Sequence, residues 1–357
     1  MRLLMLGGTE FVGRAVTEAA LARGWDVTVF HRGRHAAPEG TRAVHGDRTT
    51  AEGLAALAAA DGDWDAVVDT WSGAPRAVRD AARLLRERAG TYAYVSSGSV
   101  YRYPGKAGSD ESFPVVDGDA DADAVAYAED KRGGELAAAG AFGDGRTLLV
   151  RAGLILGPYE NIGRLPWWLS RVARGGPVLA PGPRDASIQY IDVRDLAEWT
   201  LDAVAAGLYG PYNLICPTGH ATMGALLDAC VGVAGAPDAE LRWTAPDVVT
   251  AAGIEPWQEL PVWLPPGELY DTMHDTSSAK AVRAGLRCRP VGATVSDTWD
   301  WLRSLGGVAP HRPDRPRVGL SPEKEAKASD ASRLLRRGVG FGVRTGRLAE
   351  ARGEGLE

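Results

Sequence analysis

The 357-residue chain has no run of about eighteen apolar residues, so no segment reads as a membrane-spanning helix. Its N-terminus enters an apolar strand at once, without the basic segment, apolar stretch and cleavage site of a secretory leader. Cysteine is scarce. Cys216, Cys230 and Cys288 are far apart, odd in number and without metal-ligand spacing. This argues against a disulfide framework or a cysteine metal site, and reduced core thiols in a cytoplasmic protein are the expectation. Positive charge is not in excess: a formal net charge of −6 argues against a general nucleic-acid binder. No internal repeat of about 20 to 50 residues occurs, and no membrane partner is expected.

What is present begins at residue 2. The apolar run Arg2-Leu3-Leu4 leads into Met5-Leu6-Gly7-Gly8-Thr9-Glu10-Phe11-Val12-Gly13, which reads as a strand, a tight glycine turn and a helix start. In a dinucleotide-binding crossover the first glycine makes the turn, the next lets backbone N–H groups approach a pyrophosphate, and the last packs helix against sheet. The positive helix end then faces the phosphates. Val12 to Arg23 carries the apolar spacing of one helix face, and Trp25 to Phe30 reads as a β-branched second strand, which completes a βαβ unit.

The second strand ends in His31-Arg32-Gly33-Arg34. An acid here would accept adenine-ribose hydroxyls, whereas cations suit a 2′-phosphate, so NADP is the expected cofactor. NAD and a merely solvated basic turn stay open. Further strands are expected at Thr41–Val44, ending at Gly46-Asp47-Arg48, at Asp65–Thr70, ending at Trp71-Ser72-Gly73, and at Thr91–Ser96. Helices are expected at Ala51–Ala60, Arg76–Arg88 and from about Ala124 to Ala139. The alternation implies an α/β fold with a Rossmann-type, doubly wound parallel sheet. Thr9, Glu10, Phe11, Val12, Asp47, Arg48, Thr70 and Trp71 join the glycines, His31, Arg32 and Arg34 as candidate cofactor contacts.

After the strand Arg146–Arg151 the character of the chain changes: eight of the eleven tryptophans fall between Trp167 and Trp301. The expected division is a dinucleotide domain over 1–157, with parts of 187–206 returning to it, a smaller mixed α/β substrate lobe over 158–306, and an extended, arginine-rich, flexible tail over 307–357. Within the second region, helices are expected at Arg164–Arg174, Arg194–Ala206 (capped by Asp192), Met223–Val233 and Ser296–Leu305. Strands are expected at Ser187–Ile191 and Tyr212–Ile215, a Pro/Gly-rich loop at Gly175–Arg184, and a proline-rich wall at Pro256–Pro266. The signal fades from Ala309, and Ser332–Arg347 carries five arginines and no acids.

The strongest chemical signal is Ser97 with Tyr127 and Lys131. The last two lie one helical turn apart on a helix after the fifth strand, and Ser97 lies at that strand's carboxyl end. A phenol titrates near about 10, too high for a base at neutral pH. A neighbouring ammonium and a positive nicotinamide ring both favour the phenolate. Tyr127 would exchange a proton with a substrate oxygen while hydride moves, Ser97 would hydrogen-bond that oxygen, and Lys131 would also hold the nicotinamide ribose.

Over about residues 1 to 306 the chain resembles an extended short-chain dehydrogenase/reductase of the NAD-dependent epimerase/dehydratase family. The matching residues are Gly7, Gly8, Gly13, Asp47, Ser97, the Tyr127/Lys131 pair, Arg151 with Gly157-Pro158-Tyr159, and Tyr190 to Ala197. The resemblance implies a dinucleotide lobe, a smaller substrate lobe and a homodimer. Glu10 stands where the family has its middle glycine, His31 where it has an acid, and Gly98-Ser99 where sugar-nucleotide 4,6-dehydratases have an Asp-Glu pair. The expected function is NADP-dependent reduction of a carbonyl, or epimerisation of a hydroxyl-bearing carbon, in a polar small molecule such as a nucleotide-sugar or natural-product intermediate. Ser72, Tyr101, Asn161, Arg164, Trp168 and Gln189 are the candidate substrate contacts. The competing expectation is a non-catalytic, NADP-binding or RNA-associated atypical member, to which the Gly-Gly-Thr-x-Phe-Val-Gly turn is similar.

Overall fold

A computed structural model describes residues 1–328. Seven strands form one parallel sheet: β1 (Arg2–Leu6), β2 (Asp26–His31), β3 (Arg42–His45), β4 (Trp64–Asp69), β5 (Ala89–Ser97), β6 (Thr147–Ala152) and β7 (Gly210–Leu214). Their spatial order is β7-β6-β5-β4-β1-β2-β3. Both faces are covered, which is why β1 is continuously apolar: Leu3, Leu4, Met5 and Leu6 are fully buried. Leu3 and Met5 face α1 (Phe11–Ala22) and α6 (Val193–Ala205), whereas Leu4 and Leu6 face the core shared with α3 (Pro75–Leu85) and α4 (Tyr127–Phe142). α2 (Ala51–Ala59) lies on the second of these faces, through Leu57. The chain winds outward from β1 to β3, then returns to place β4 on the other side of β1. That reversal opens a crevice beyond the carboxyl ends of β1 and β4.

A second core is built around Trp168 and Trp263, with α5 (Arg164–Ala173), α7 (Met223–Ala234) and the helix Val291–Ser304. Asp192 caps α6 by accepting the Arg194 N–H at 2.8 Å. Three local expectations change. The Gly175–Arg184 loop contains a strand, Pro177–Pro181, paired in parallel with Glu240–Thr244. Its prolines sit at the two ends, leaving the buried Val178, Leu179 and Ala180 as an apolar interior. The strand expected over Ser187–Ile191 is two short pieces, Ser187–Ile188 and Ile191–Asp192, which pair with different partners. Between them the Gln189 amide binds backbone groups of Cys216 and Thr276 in place of a ladder. The helix expected from Ala124 begins at Tyr127, where Asp130 reaches back to accept the Val125 N–H at 2.9 Å.

Residues 309–328, where the sequence signal fades, are packed on the body instead of extending from it. Arg312 N–H donates to the Asn161 carbonyl at 3.0 Å, Gly319 N–H to that of Gln258 at 2.7 Å, and Leu320 enters the second core. Glu325 is buried, accepting from Arg171 Nε at 2.7 Å and from the Leu179 N–H at 3.0 Å. The arginine-rich stretch Ser332–Arg347 lies outside the described residues. Glu325→Ala leaves a buried guanidinium without its carboxylate and an edge N–H without an acceptor, a loss of about 3 kcal/mol. Urea unfolding of the full chain checks this, and a change below about 0.5 kcal/mol would mean the segment is not held there.

Candidate active site

The crevice is a cavity of about 1100 Å³ that runs from the glycine turn to the second core. At one end Gly7 adopts φ +96°, and a Cβ at Gly13 would lie 2.0 Å from the Gly7 carbonyl oxygen. Only glycine at 13 permits this approach of helix to turn, and the first turn of α1 lies at the cavity wall. The turn residues Gly7, Thr9, Glu10, Phe11, Val12 and Gly13 all line it. Glu10 precedes α1 without capping it. Its carboxylate instead accepts from Asn161 Nδ2 at 3.3 Å and lies 3.5 Å from His35 Nε2.

His31, Arg32, Arg34, Asp47 and Arg48 form the adjoining wall. His31 is buried and packs edge-on against His45 at 4.6 Å. Burial, with His45 beside it, holds its imidazole pKa below the ordinary value. Its Nδ1 accepts from the Gly33 N–H, and its buried Nε2 has no partner. The Thr49 N–H, hydroxyl and the nearby Arg32 and Arg34 keep the Asp47 carboxyl below its usual range. Arg48 reaches the wall with its charge already matched: Nη1 donates to both oxygens of the fully buried Asp69 at 2.8 Å.

Thr70, Trp71 and Ser72 line the cavity after β4, and Ser97 and Ser99 after β5. Ser97 caps the short turn Gly98–Val100, its Oγ accepting the Ser99 N–H at 3.1 Å and lying 3.2 Å from Ser99 Oγ. Tyr127 is the first residue of α4 and half-exposed to the cavity, with the Arg315 guanidinium 5.0 Å from its ring centre. One turn on, Lys131 is buried and donates to the carbonyls of Trp71 at 2.6 Å and Val95 at 2.7 Å. Two of its three N–H donors are thereby used. Behind it, Glu135 holds Arg151 through paired hydrogen bonds of 2.8 and 2.9 Å, and Arg151 Nη1 donates to the Tyr101 hydroxyl.

Two expected substrate contacts do not reach this cavity. Trp168 is fully buried in the second core with its indole N–H on the Pro261 carbonyl at 2.8 Å. Gln189 is also fully buried, its side-chain amide consumed by backbone groups and Thr218. Ser72, Tyr101, Asn161 and Arg164 do line the cavity, although the Tyr101 hydroxyl is committed to Arg151 and Asn213. The sequence reading missed Ser99, Trp257, Arg312 and Arg315. The last two come from a proline-broken segment without periodicity, so no local signal marked them. Ten arginines and lysines line the cavity against three carboxylates, so its field favours an anionic occupant.

The sequence model of the NAD dependent epimerase/dehydratase family matches residues 3–214. The chain belongs to this family. Solved structures share the fold of this family member. UDP-glucose 4-epimerase of Thermus thermophilus, in complex with NAD, is 20% identical with a TM-score of 0.61, over 85% of this chain and 99% of that one. The Bordetella bronchiseptica enzyme WbmH, in complex with NAD+, is 17% identical with a TM-score of 0.61 over the same shares. UDP-N-acetylglucosamine 4-epimerase of Bacillus cereus is 14% identical with a TM-score of 0.59, also over 85% and 99%. No curated protein sequence matches the chain. Among the described residues no group of three or more His, Cys, Asp or Glu side chains could hold a metal, and no helix is long and apolar enough to cross a membrane.

In this epimerase/dehydratase-family chain the lysine of the tyrosine-lysine pair departs from expectation. Burial lowers the Lys131 pKa from 10.5 to about 7; Asp69 and Glu135 oppose the shift, and Arg312 and Arg315 reinforce it. The folded state therefore binds fewer protons than the unfolded chain between about pH 7 and 10.5, so stability rises with pH across that window. Below pH 7 the full penalty is present. Lys131→Met removes it, so the variant is more stable than the parent at pH 6.5 and the gap narrows as pH climbs to 9.5. Thermal unfolding at both pH values checks the slope; a gap independent of pH contradicts the buried ammonium.

Proposed function

We propose that the protein is an NADP-dependent oxidoreductase of the extended short-chain dehydrogenase type. It reduces a carbonyl, or oxidises and re-reduces a hydroxyl-bearing carbon with inversion, in a polar small molecule. The observation that carries this reading is that Ser97, Tyr127 and Lys131 line the same cavity as the Gly7–Gly13 turn. The residues present fit a dinucleotide. The Gly13 contact leaves no room for a side chain where helix meets turn, and the unpartnered His31 Nε2 can bond a ribose hydroxyl as a neutral imidazole. Arg32 and Arg34 lie beside it without a carboxylate hydrogen-bonded to either, which supports a 2′-phosphate.

A nicotinamide dinucleotide held by the glycine turn and the His31–Arg34 wall would supply or accept the hydride. The chain's own residues manage the proton and the geometry. Tyr127 Oη gives its proton to the substrate oxygen in the reducing direction and takes it back in the oxidising one. Ser97 Oγ donates to the same oxygen and fixes the carbonyl plane. The remaining N–H of Lys131 is free for a ribose hydroxyl, and its two carbonyl bonds prevent it from swinging away. Gly98 and Ser99 follow Ser97 with no carboxylic acid, which favours redox chemistry at one carbon over elimination.

Tyr127→Phe removes the exchangeable proton and leaves the ring under Arg315. Turnover with NADPH over a panel of carbonyl and alcohol substrates is expected to fall by about 100-fold or more, while NADPH affinity stays within about twofold. Unchanged turnover in the variant would remove Tyr127 from the reaction.

A further inference from the structure

Two guanidinium groups in the cavity, those of Arg164 and Arg315, donate no hydrogen bond to a carboxylate. Arg164 opens α5, and its side chain makes no hydrogen bond to any described residue. It lies 5.7 Å from the Trp257 ring centre, its Nε is buried, and burial lowers its pKa below that of a free guanidinium. Glu160 beneath it opposes that shift through its charge, while its oxygens accept the N–H groups of Arg164 and Leu165 at 2.6 and 3.1 Å. Arg315 arrives from the other side. Its Nε is buried without a hydrogen bond, the Asp314 carboxylate is 4.0 Å away, and its guanidinium lies over the Tyr127 ring.

The two face each other across the cavity: the Arg315 charge adds to burial in lowering the Arg164 pKa, and Glu160 opposes the shift. Arg312, on the same turn as Arg315, differs: Asp314 holds it through hydrogen bonds of 2.7 and 3.1 Å. Like charges facing one another in a partly buried cavity, with idle donors, are stabilised by an anion that joins them. A guanidinium offers a carboxylate or phosphate two parallel N–H donors. The dinucleotide's own pyrophosphate belongs at the glycine turn, whereas Arg164 stands on an aromatic ring of the second core and Arg315 on the proton-transfer residue. Residues 310–315 lie beyond the 3–214 family match, whereas Arg164 lies within it.

We propose that Arg164 and Arg315 clamp an anionic group of the substrate, a carboxylate or a phosphate monoester, borne close to the carbon that reacts at Tyr127. The proposal rests on the reading of Tyr127 as the proton-transfer residue, and it restricts the polar substrate to a hydroxy- or oxo-acid or a phosphorylated alcohol or ketone. A substrate whose reacting end is a neutral sugar leaves the clamp empty.

The test is calorimetric titration of the full chain with inorganic phosphate and with malonate, with NADPH titrated separately, on the parent, Arg164→Gln, Arg315→Gln and Arg164→Lys. One of the two anions is expected to bind the parent, which tells phosphate from carboxylate recognition. Each glutamine variant should weaken it by about tenfold, about 1.4 kcal/mol, with Arg164→Lys retaining part of the affinity. NADPH affinity should change by less than about twofold. Anion binding by the parent that both glutamine variants retain in full, or no binding of either anion, overturns the clamp. A parallel fall in NADPH affinity overturns it too, because the guanidinium groups would then serve the dinucleotide. If the parent binds phosphate through these arginines but binds no dinucleotide, the clamp stands and the hydride-transfer reading fails.

Discussion

The carboxyl edge of a parallel sheet gathers backbone carbonyls at one place, and here a single buried ammonium ties them together. Lys131 takes the carbonyls of Trp71, just past β4, and Val95, inside β5, while its own backbone belongs to α4. That one side chain fixes the height of α4 against the sheet, and so fixes where Tyr127, one turn earlier, meets the cavity. The arrangement is held at a cost, because a dry site pulls the Lys131 pKa to about 7. The aromatic face of Tyr94, 4.8 Å from Nζ, and the charges of Asp69 and Glu135 offset part of it.

Around this point the molecule is arranged so that the cavity has two differently charged walls. The wall from the glycine turn carries Glu10, held toward Asn161, and Arg32 and Arg34, whose charges act on Asp47. The opposite wall is made by α5 and the segment 310–315, and it carries Arg164 and Arg315. The second wall exists because the chain beyond the helix Val291–Ser304 folds back. Its anchors, the Arg312 N–H on Asn161 and the buried Arg171–Glu325 pair, are remote in sequence from what they hold. Asn161 joins the two walls, since its carbonyl takes the returning segment and its amide takes Glu10.

Much of the first half was legible because its signals are local. A glycine turn, an apolar strand run and a helical four-residue spacing are each set by neighbours within a few residues, and the seven-stranded parallel sheet follows from their alternation. The second half was harder to read. Trp168 and Gln189 have the same chemistry whether they face a ligand or a core. What decides between them is that the Pro261 and Thr276 carbonyls stand ready to accept their hydrogen bonds, 93 and 87 residues away. Pro177–Pro181 looked like a loop because prolines count against strands, yet they occupy only its ends. Arg312 and Arg315 were invisible for the same reason in reverse: no period marks a segment whose conformation is imposed by what it covers.

The central claim is that this cavity holds a nicotinamide dinucleotide with its adenine end at Arg32 and Arg34. The direct measurement is an equilibrium titration of NADPH, NADP, NADH and NAD on the parent protein and on Arg32→Ala. The account predicts saturable binding, tightest for the 2′-phosphorylated forms, with NADPH weakened about tenfold in the variant. Binding of no dinucleotide, with Glu10 left as the charge that rejects the pyrophosphate, would contradict it.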